Sequence, residues 1–126
     1  MNLRLAVITL LLFATLDVSV AAPDIQVMER RAQESRARNS EYEKVAVTAF
    51  WTNDVTFMSE CAPNDQPPAE PFVIYFEVLP GGDLGDIAIY PPSGPAQCLR
   101  RKVSNRKFPP PPGGAYVTKI DVRFKQ

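Results

Sequence analysis

Residues 72–90 read FVIYFEVLPGGDLGDIAIY and carry the clearest structural signal in this 126-residue chain. Residues 72–79 are mostly β-branched or aromatic and are apolar on nearly both faces, which is typical of a buried strand. The following residues, 80–85, indicate a turn because glycine takes positive φ without steric cost. Residues 86–90 then predict a second strand, so this segment is expected to form a β-hairpin with a longer loop.

A helix is predicted before the hairpin, beginning near residue 41. Apolar residues recur there at helical spacing, with Phe50 beside the stripe: Val47, Trp51, Val55, Met58 and Cys61. Threonines at positions 48, 52 and 56 lower helix propensity, so residues 42–49 could alternatively form a strand. We favour the helix, and the prolines that follow predict a loop over residues 64–71.

The C-terminal part predicts a second helix and a final strand. Ser93 can cap a helix over residues 96–107, which would bury Leu99, Val103 and Cys98. The last strand alternates, with one face formed by Tyr116, Thr118, Ile120, Val122 and Phe124, and the other by Lys119, Asp121, Arg123 and Lys125. The predicted fold is therefore α+β, in the order helix-strand-strand-helix-strand. A small antiparallel three-stranded sheet would carry two helices on one face.

The N-terminal residues have the pattern of a secretory signal peptide. A weakly basic start, a 12-residue apolar run over residues 5–16 and small residues before position 22 predict cleavage after Ala21. The alternative is an uncleaved membrane anchor; if the signal is cleaved, no transmembrane span is expected. Residues 22–43 have only a thin apolar stripe and predict a polar linker or frayed helix, followed by a domain over residues 44–126. The mature chain is expected to be periplasmic or secreted.

The two cysteines and the absence of histidine limit the chemistry. In an oxidising compartment Cys61 and Cys98 are a candidate disulfide, the alternative being two buried free thiols. Without histidine, neither a Cys/His zinc site nor Ser-His-Asp or Cys-His catalysis can form. The clustered carboxylates Glu77, Asp83 and Asp86 have no nucleophile beside them, and turn chemistry explains the aspartates. We therefore expect no catalytic residue, metal or cofactor.

Charge is neutral in total, with 14 basic and 14 acidic residues, but it is unevenly distributed. Residues 40–97 are mainly acidic and residues 98–126 mainly basic. The basic cluster is formed by Arg100, Arg101, Lys102, Arg106 and Lys107. An exported protein is not expected to meet nucleic acid, so a solvated helix face is the better interpretation of this cluster.

The ordered set of features resembles the C-terminal domains of TonB and TolA, and most closely the cysteine-containing version in AgmX/PglI-type proteins. The matching features cover about residues 44–126: Cys61, the hairpin around Gly85, Cys98-Leu99-Arg100-Arg101, Lys107-Phe108-Pro109, and Gly113-Gly114 before the last strand. The resemblance implies a domain that accepts an extended peptide by strand addition. TonB and TolA also have a long transmembrane helix and an extended periplasmic linker, and this sequence predicts neither. The resemblance therefore gives little support to energy transduction by this chain.

The functional expectation is therefore a binding or adaptor domain of the cell envelope. Lys119, Arg123 and Lys125 on the last strand would attract an acidic segment of an envelope protein or extended peptide. Alternatively, these charges only protect a sheet edge from aggregation. Self-association through the last strand is a further alternative, as is a stand-alone exported protein with a structural or inhibitory role.

Overall fold

The computed structural model describes residues 23–52, 60–62 and 70–123. The elements in these segments are α1 (Ile25–Arg38), α2 (Ser40–Thr52), β1 (Phe72–Val78), β2 (Leu84–Tyr90), α3 (Gly94–Ser104) and β3 (Tyr116–Val122). None of the helices in these segments has the length and apolar character needed to span a bilayer. The predicted signal peptide, residues 1–21, lies outside the described residues.

The three strands form one antiparallel sheet in the order β2-β1-β3, which confirms the predicted α+β fold. β1 lies in the centre: Ile74 pairs with Ile89 on one side and with Ile120 on the other. A central strand covered on both faces has no solvent-facing side. This position explains why the hairpin sequence is apolar at successive residues and does not simply alternate.

One face of the sheet carries the main core, and α2 and α3 both pack on it as predicted. The fully buried side chains at this interface come from all of these elements: Phe50, Ile74, Phe76, Val78, Leu99, Val103 and Val122. A disulfide between Cys61 and Cys98, with a Cα–Cα distance of 5.5 Å, ties the chain after α2 to α3 and confirms the predicted pairing. The side chain of Ser93 caps α3 by accepting the Ala96 amide at 3.2 Å.

The buried face of α2 differs from the predicted stripe. Tyr42, Ala46 and Phe50 are buried, Val47 only borders the core, and Trp51 is 42% exposed. Phe50 is the residue that faces the sheet, where its ring stacks on Phe76 with 5.9 Å between centroids. Two adjacent aromatic residues point about 100° apart on a helix, so only one can enter the core. Val55 and Met58 lie outside the described residues.

Residues 22–43 were predicted to form a polar linker or a frayed helix, and their described part contains a helix that is packed on the sheet. α1 has 14 residues, and the Asp24 side chain caps it by accepting the Gln26 amide at 2.7 Å. Met28 and Ala32 are buried against the second face of the sheet, formed by Tyr75, Ala88 and Val117. The thin apolar stripe is sufficient because polar contacts, described below, supply the remaining attachment. Helices therefore cover both faces of the sheet.

The connections between these elements are fixed by backbone contacts. Phe108, whose side chain is buried in the main core, donates its amide to the carbonyl oxygen of Gly82 at 2.9 Å. Gly82 has φ +94°, and a side chain at this position would collide with the Phe108 carbonyl. The hairpin turn is thereby joined to the segment that precedes β3. This contact fixes the path of the chain into the edge strand.

The open edge of the sheet as candidate binding site

β3 is an edge strand, and side chains of α1 form hydrogen bonds with the outward backbone groups near its N-terminal end. The Val117 amide donates to Ser35 Oγ at 3.0 Å, and Arg38 donates to the Ala115 carbonyl oxygen at 2.8 Å. Alternate residues of a strand direct their backbone groups to the same side. Residues 115, 117, 119 and 121 therefore point outward, whereas Thr118 and Ile120 face β1.

The outer side of β3 is open beyond Val117. Within the segments that the structure describes, the outward backbone groups of Lys119 and Asp121 have no hydrogen-bond partner. Two residues with unpaired donors and acceptors are a template for another extended chain. The open portion thus begins where α1 stops forming hydrogen bonds with the backbone of the strand. We call residues 119–123 the open edge.

The predicted binding residues Lys119, Arg123 and Lys125 differ in their surroundings. Lys119 is 28% exposed, and its Nζ lies 3.1 Å from a Glu29 carboxylate oxygen and 5.8 Å from the centroid of the Tyr75 ring. Lys119 therefore contributes mainly to attaching α1. Arg123 is exposed at the end of β3, and Lys125 lies outside the described residues. The structure adds Asp121, which is exposed two residues before Arg123.

Two polar clusters hold α1 on the sheet. In the first, the Tyr75 hydroxyl donates to Glu29, which also pairs with Lys119. The hydrogen bond from Tyr75 lowers the pKa of Glu29 despite its partial burial, while burial and the neighbouring Glu29 raise the pKa of Tyr75. Glu29 is therefore charged and Tyr75 neutral at physiological pH.

The second cluster is centred on Arg31. Its guanidinium pairs with Glu77 on β1 and lies 3.0 Å from an Asp86 oxygen on β2. Asp83 lies 3.9 Å from Lys107 Nζ, so all three of the clustered carboxylates have a cationic neighbour. Within the described segments, no group of three or more Cys, Asp or Glu side chains is arranged to hold a metal ion.

A cleft of about 460 Å³ lies at the end of the sheet next to the open edge. The register places Tyr90, Val73 and Asp121 in one row across the three strands. Prolines 71 and 91 and the end of β3 complete the lining. Tyr90 is 61% exposed, the largest value among the exposed large apolar side chains of the described residues. The sequence did not single out Tyr90, because nothing distinguishes it locally from a covered strand residue.

Part of the predicted basic cluster is also used within the fold. Lys102 pairs with Glu60, and Arg106 donates to the Phe50 carbonyl oxygen at 3.4 Å. Both contacts link α3 and its C-terminal extension to the region around the end of α2. These contacts support a structural role for these two cations.

No family model, curated protein or solved structure matches this chain. The role of the open edge and of the cleft beside it is therefore inferred from their own residues.

Proposed function

We propose that this chain is an exported, non-catalytic binding domain that adds an extended peptide segment to its sheet at β3. The observation that carries this proposal is the pair of outward, unpartnered backbone positions at Lys119 and Asp121 on an edge strand. Strand addition supplies affinity through main-chain hydrogen bonds and specificity through alternate side chains. The Cys61–Cys98 disulfide is compatible with an oxidising compartment outside the cytoplasm.

The length of the open edge sets the strength of pairing. Lys119 and Asp121 together offer four backbone groups, and each hydrogen bond contributes about 1 kcal/mol net. The sum of about 4 kcal/mol corresponds to a dissociation constant near 1 mM. Backbone pairing alone would therefore be weak. A physiological partner has to gain further affinity from side-chain contacts beside the strand.

The charges favour an acidic segment, but less strongly than the sequence suggests. Glu29 neutralises Lys119, so among the described residues of the edge Arg123 provides the positive charge. The competing interpretation is that charged side chains protect the edge and no peptide binds there. A second copy of this chain, adding its own β3, would occupy the same groups.

The proposal is tested by removing one outward backbone N–H while the other side chains of β3 stay on the same faces of the sheet. Asp121→Pro deletes this donor, and proline is tolerated where an edge-strand N–H faces solvent. Asp121→Ala is the matched control, because it loses the charge but keeps the amide. Each full-length variant is used as bait for solubilised envelope, and captured proteins are quantified by mass spectrometry.

We expect a partner that wild type and Asp121→Ala capture and Asp121→Pro loses, with circular dichroism showing the same fold for all three. Backbone NMR shifts on addition of the partner should change at residues 119–123 and not at Leu84, at the far end of the opposite edge strand. A partner captured equally by all three variants contradicts strand addition, as does the absence of any reproducible partner. Dimerisation that Asp121→Pro abolishes would assign the edge to self-association.

A further inference from the structure

We infer that the bound segment contains an acidic residue followed two positions later by an aromatic residue, with the acidic side chain on Arg123 and the aromatic ring in the cleft at the end of the sheet. This inference rests on the proposed function, because it specifies the peptide that the open edge accepts. Backbone hydrogen bonds are the same for any peptide sequence, so the choice of partner depends on these two side chains.

Among the described residues, α1 covers the floor of the cleft only in part. It packs over the row formed by Ala88, Tyr75 and Lys119 and borders Val73 in the next row, whereas Tyr90 and Asp121 on either side of Val73 are exposed. The result is an apolar floor between two prolines, with the exposed Tyr90 ring at one end and the open edge at the other. A ring entering from a peptide strand beside β3 would pass over Asp121 and contact Val73 and Tyr90. Aromatic side chains gain both burial and ring contact in such a site.

The charge of Arg123 favours an acidic residue at the peptide position opposite it. Among the described residues no carboxylate lies within ion-pair distance of its guanidinium, whereas Lys119 on the same face is paired with Glu29. An acidic peptide residue opposite Arg123 would complete a cross-strand ion pair. Arg123 follows Asp121 by two residues and lines the same cleft, so in an extended pairing the peptide residues opposite them are also two apart.

The order of the two residues follows from strand direction. Both pairings in this sheet are antiparallel, and antiparallel pairing is the more stable per residue. In an antiparallel addition the residue opposite Arg123 comes before the residue opposite Asp121. The expected pattern in the partner is therefore acidic-x-aromatic, read from its N-terminus.

The test uses end-capped nine-residue peptides on one Thr/Val/Ser background that differ only in this motif: Glu-x-Trp, Ala-x-Trp, Glu-x-Ala, Glu-x-Lys and the reversed Trp-x-Glu. Binding to the full chain is measured by NMR titration up to several millimolar peptide. The aromatic contact should improve binding of Glu-x-Trp over Glu-x-Ala by roughly three- to tenfold. Tyr90→Ala should remove that difference and leave the affinity for Glu-x-Ala unchanged. Arg123→Gln should weaken Glu-x-Trp and not Ala-x-Trp.

The outcomes separate this inference from the proposed function. If all five peptides bind equally, shift residues 119–123 and lose binding in Asp121→Pro, strand addition stands and the motif is wrong. If Glu-x-Lys binds better than Glu-x-Trp, Asp121 selects a cation and the aromatic assignment is overturned. Tighter binding of Trp-x-Glu overturns the antiparallel order. If no peptide shifts residues 119–123, both the inference and the proposed edge site fail.

Discussion

Replacing Ser35 with alanine tests the assignment of the β3 edge directly. Ser35 is 6% exposed, and its hydroxyl accepts the amide of Val117, itself in the small core beneath α1. A buried amide left without an acceptor costs about 1–3 kcal/mol. Alanine has a higher helix propensity than serine, which offsets about 0.5 kcal/mol of this loss. The net expected loss in the free energy of unfolding is therefore about 0.5–2.5 kcal/mol.

Two measurements check this expectation on the oxidised full chain. Urea unfolding followed by circular dichroism should give a lower midpoint with an unchanged m-value, because the surface exposed on unfolding hardly changes. Hydrogen exchange of the Val117 amide should become faster, while exchange of Ile120, whose amide faces β1, stays at the wild-type rate apart from the global change. Comparing the exchange rates of the Val117 and Ile120 amides distinguishes the loss of one hydrogen bond from a lower global stability.

Ser40→Ala is the matched control, since Ser40 is the exposed first residue of α2. Its effect should stay within about 0.5 kcal/mol of wild type, as for most surface substitutions. If Ser35→Ala is as stable as Ser40→Ala and Val117 exchanges at the wild-type rate, Ser35 is not the acceptor of that amide. The alternation that assigns Lys119 and Asp121 to the outer side of β3 would then lose its basis.

Three further predictions concern the core and the pH dependence. The double substitution Cys61→Ser/Cys98→Ser opens a loop with a sequence separation of 37 and should lower the free energy of unfolding by about 4 kcal/mol; a loss under about 1 kcal/mol in urea unfolding would contradict this. Phe50→Ala should cost about 3–5 kcal/mol in the same assay and the half-exposed Trp51→Ala much less, so equal losses would refute the assigned core face of α2. The pKa of Glu29 is below its ordinary value of 4.5 in the folded chain, so its stabilising contribution is present above pH 4.5 and is lost as the pH falls through the folded pKa. Glu29→Gln should therefore flatten the decline in melting temperature between pH 5 and pH 3. An unchanged decline would count against the Tyr75 contact.

The sheet was predictable from sequence because its strands carry local signals. The hairpin is bounded by prolines and glycines, and the last strand alternates residue by residue, so both were predicted close to their actual positions. β2 begins at Leu84, inside the turn predicted over residues 80–85, because Leu84 pairs with Val78 across the hairpin. The Ser93 cap and the cysteine pair likewise depend on residue type and compartment. Which strand occupies the centre required the structure, although the apolar residues on both faces of β1 fit a central position.

The packing of α1 could not be predicted because its partners are distant in sequence. The Ser35 to Val117 hydrogen bond joins residues 82 positions apart, and the Arg31 to Glu77 contact joins residues 46 positions apart. A helix attached mainly through such polar contacts shows only a weak apolar stripe. The exposure of Tyr90 has the same origin, since it depends on where α1 stops covering the sheet. Periodicity also could not decide between Phe50 and Trp51, because adjacent residues fit the same helical spacing.

The position of α1 also limits the register in which a peptide can add to β3. A segment that slipped by two residues toward Val117 would have to displace Ser35 from the Val117 amide, and a further slip would have to displace Arg38 from the Ala115 carbonyl oxygen. Each step breaks a hydrogen bond that the fold already has, so slipping gains less than pairing at Lys119 and Asp121. The Glu29 and Arg31 clusters hold α1 in place and so keep that barrier in position. In Ser35→Ala the amide of Val117 becomes available, and a longer or shifted peptide register should then compete with the one that aligns an acidic residue with Arg123.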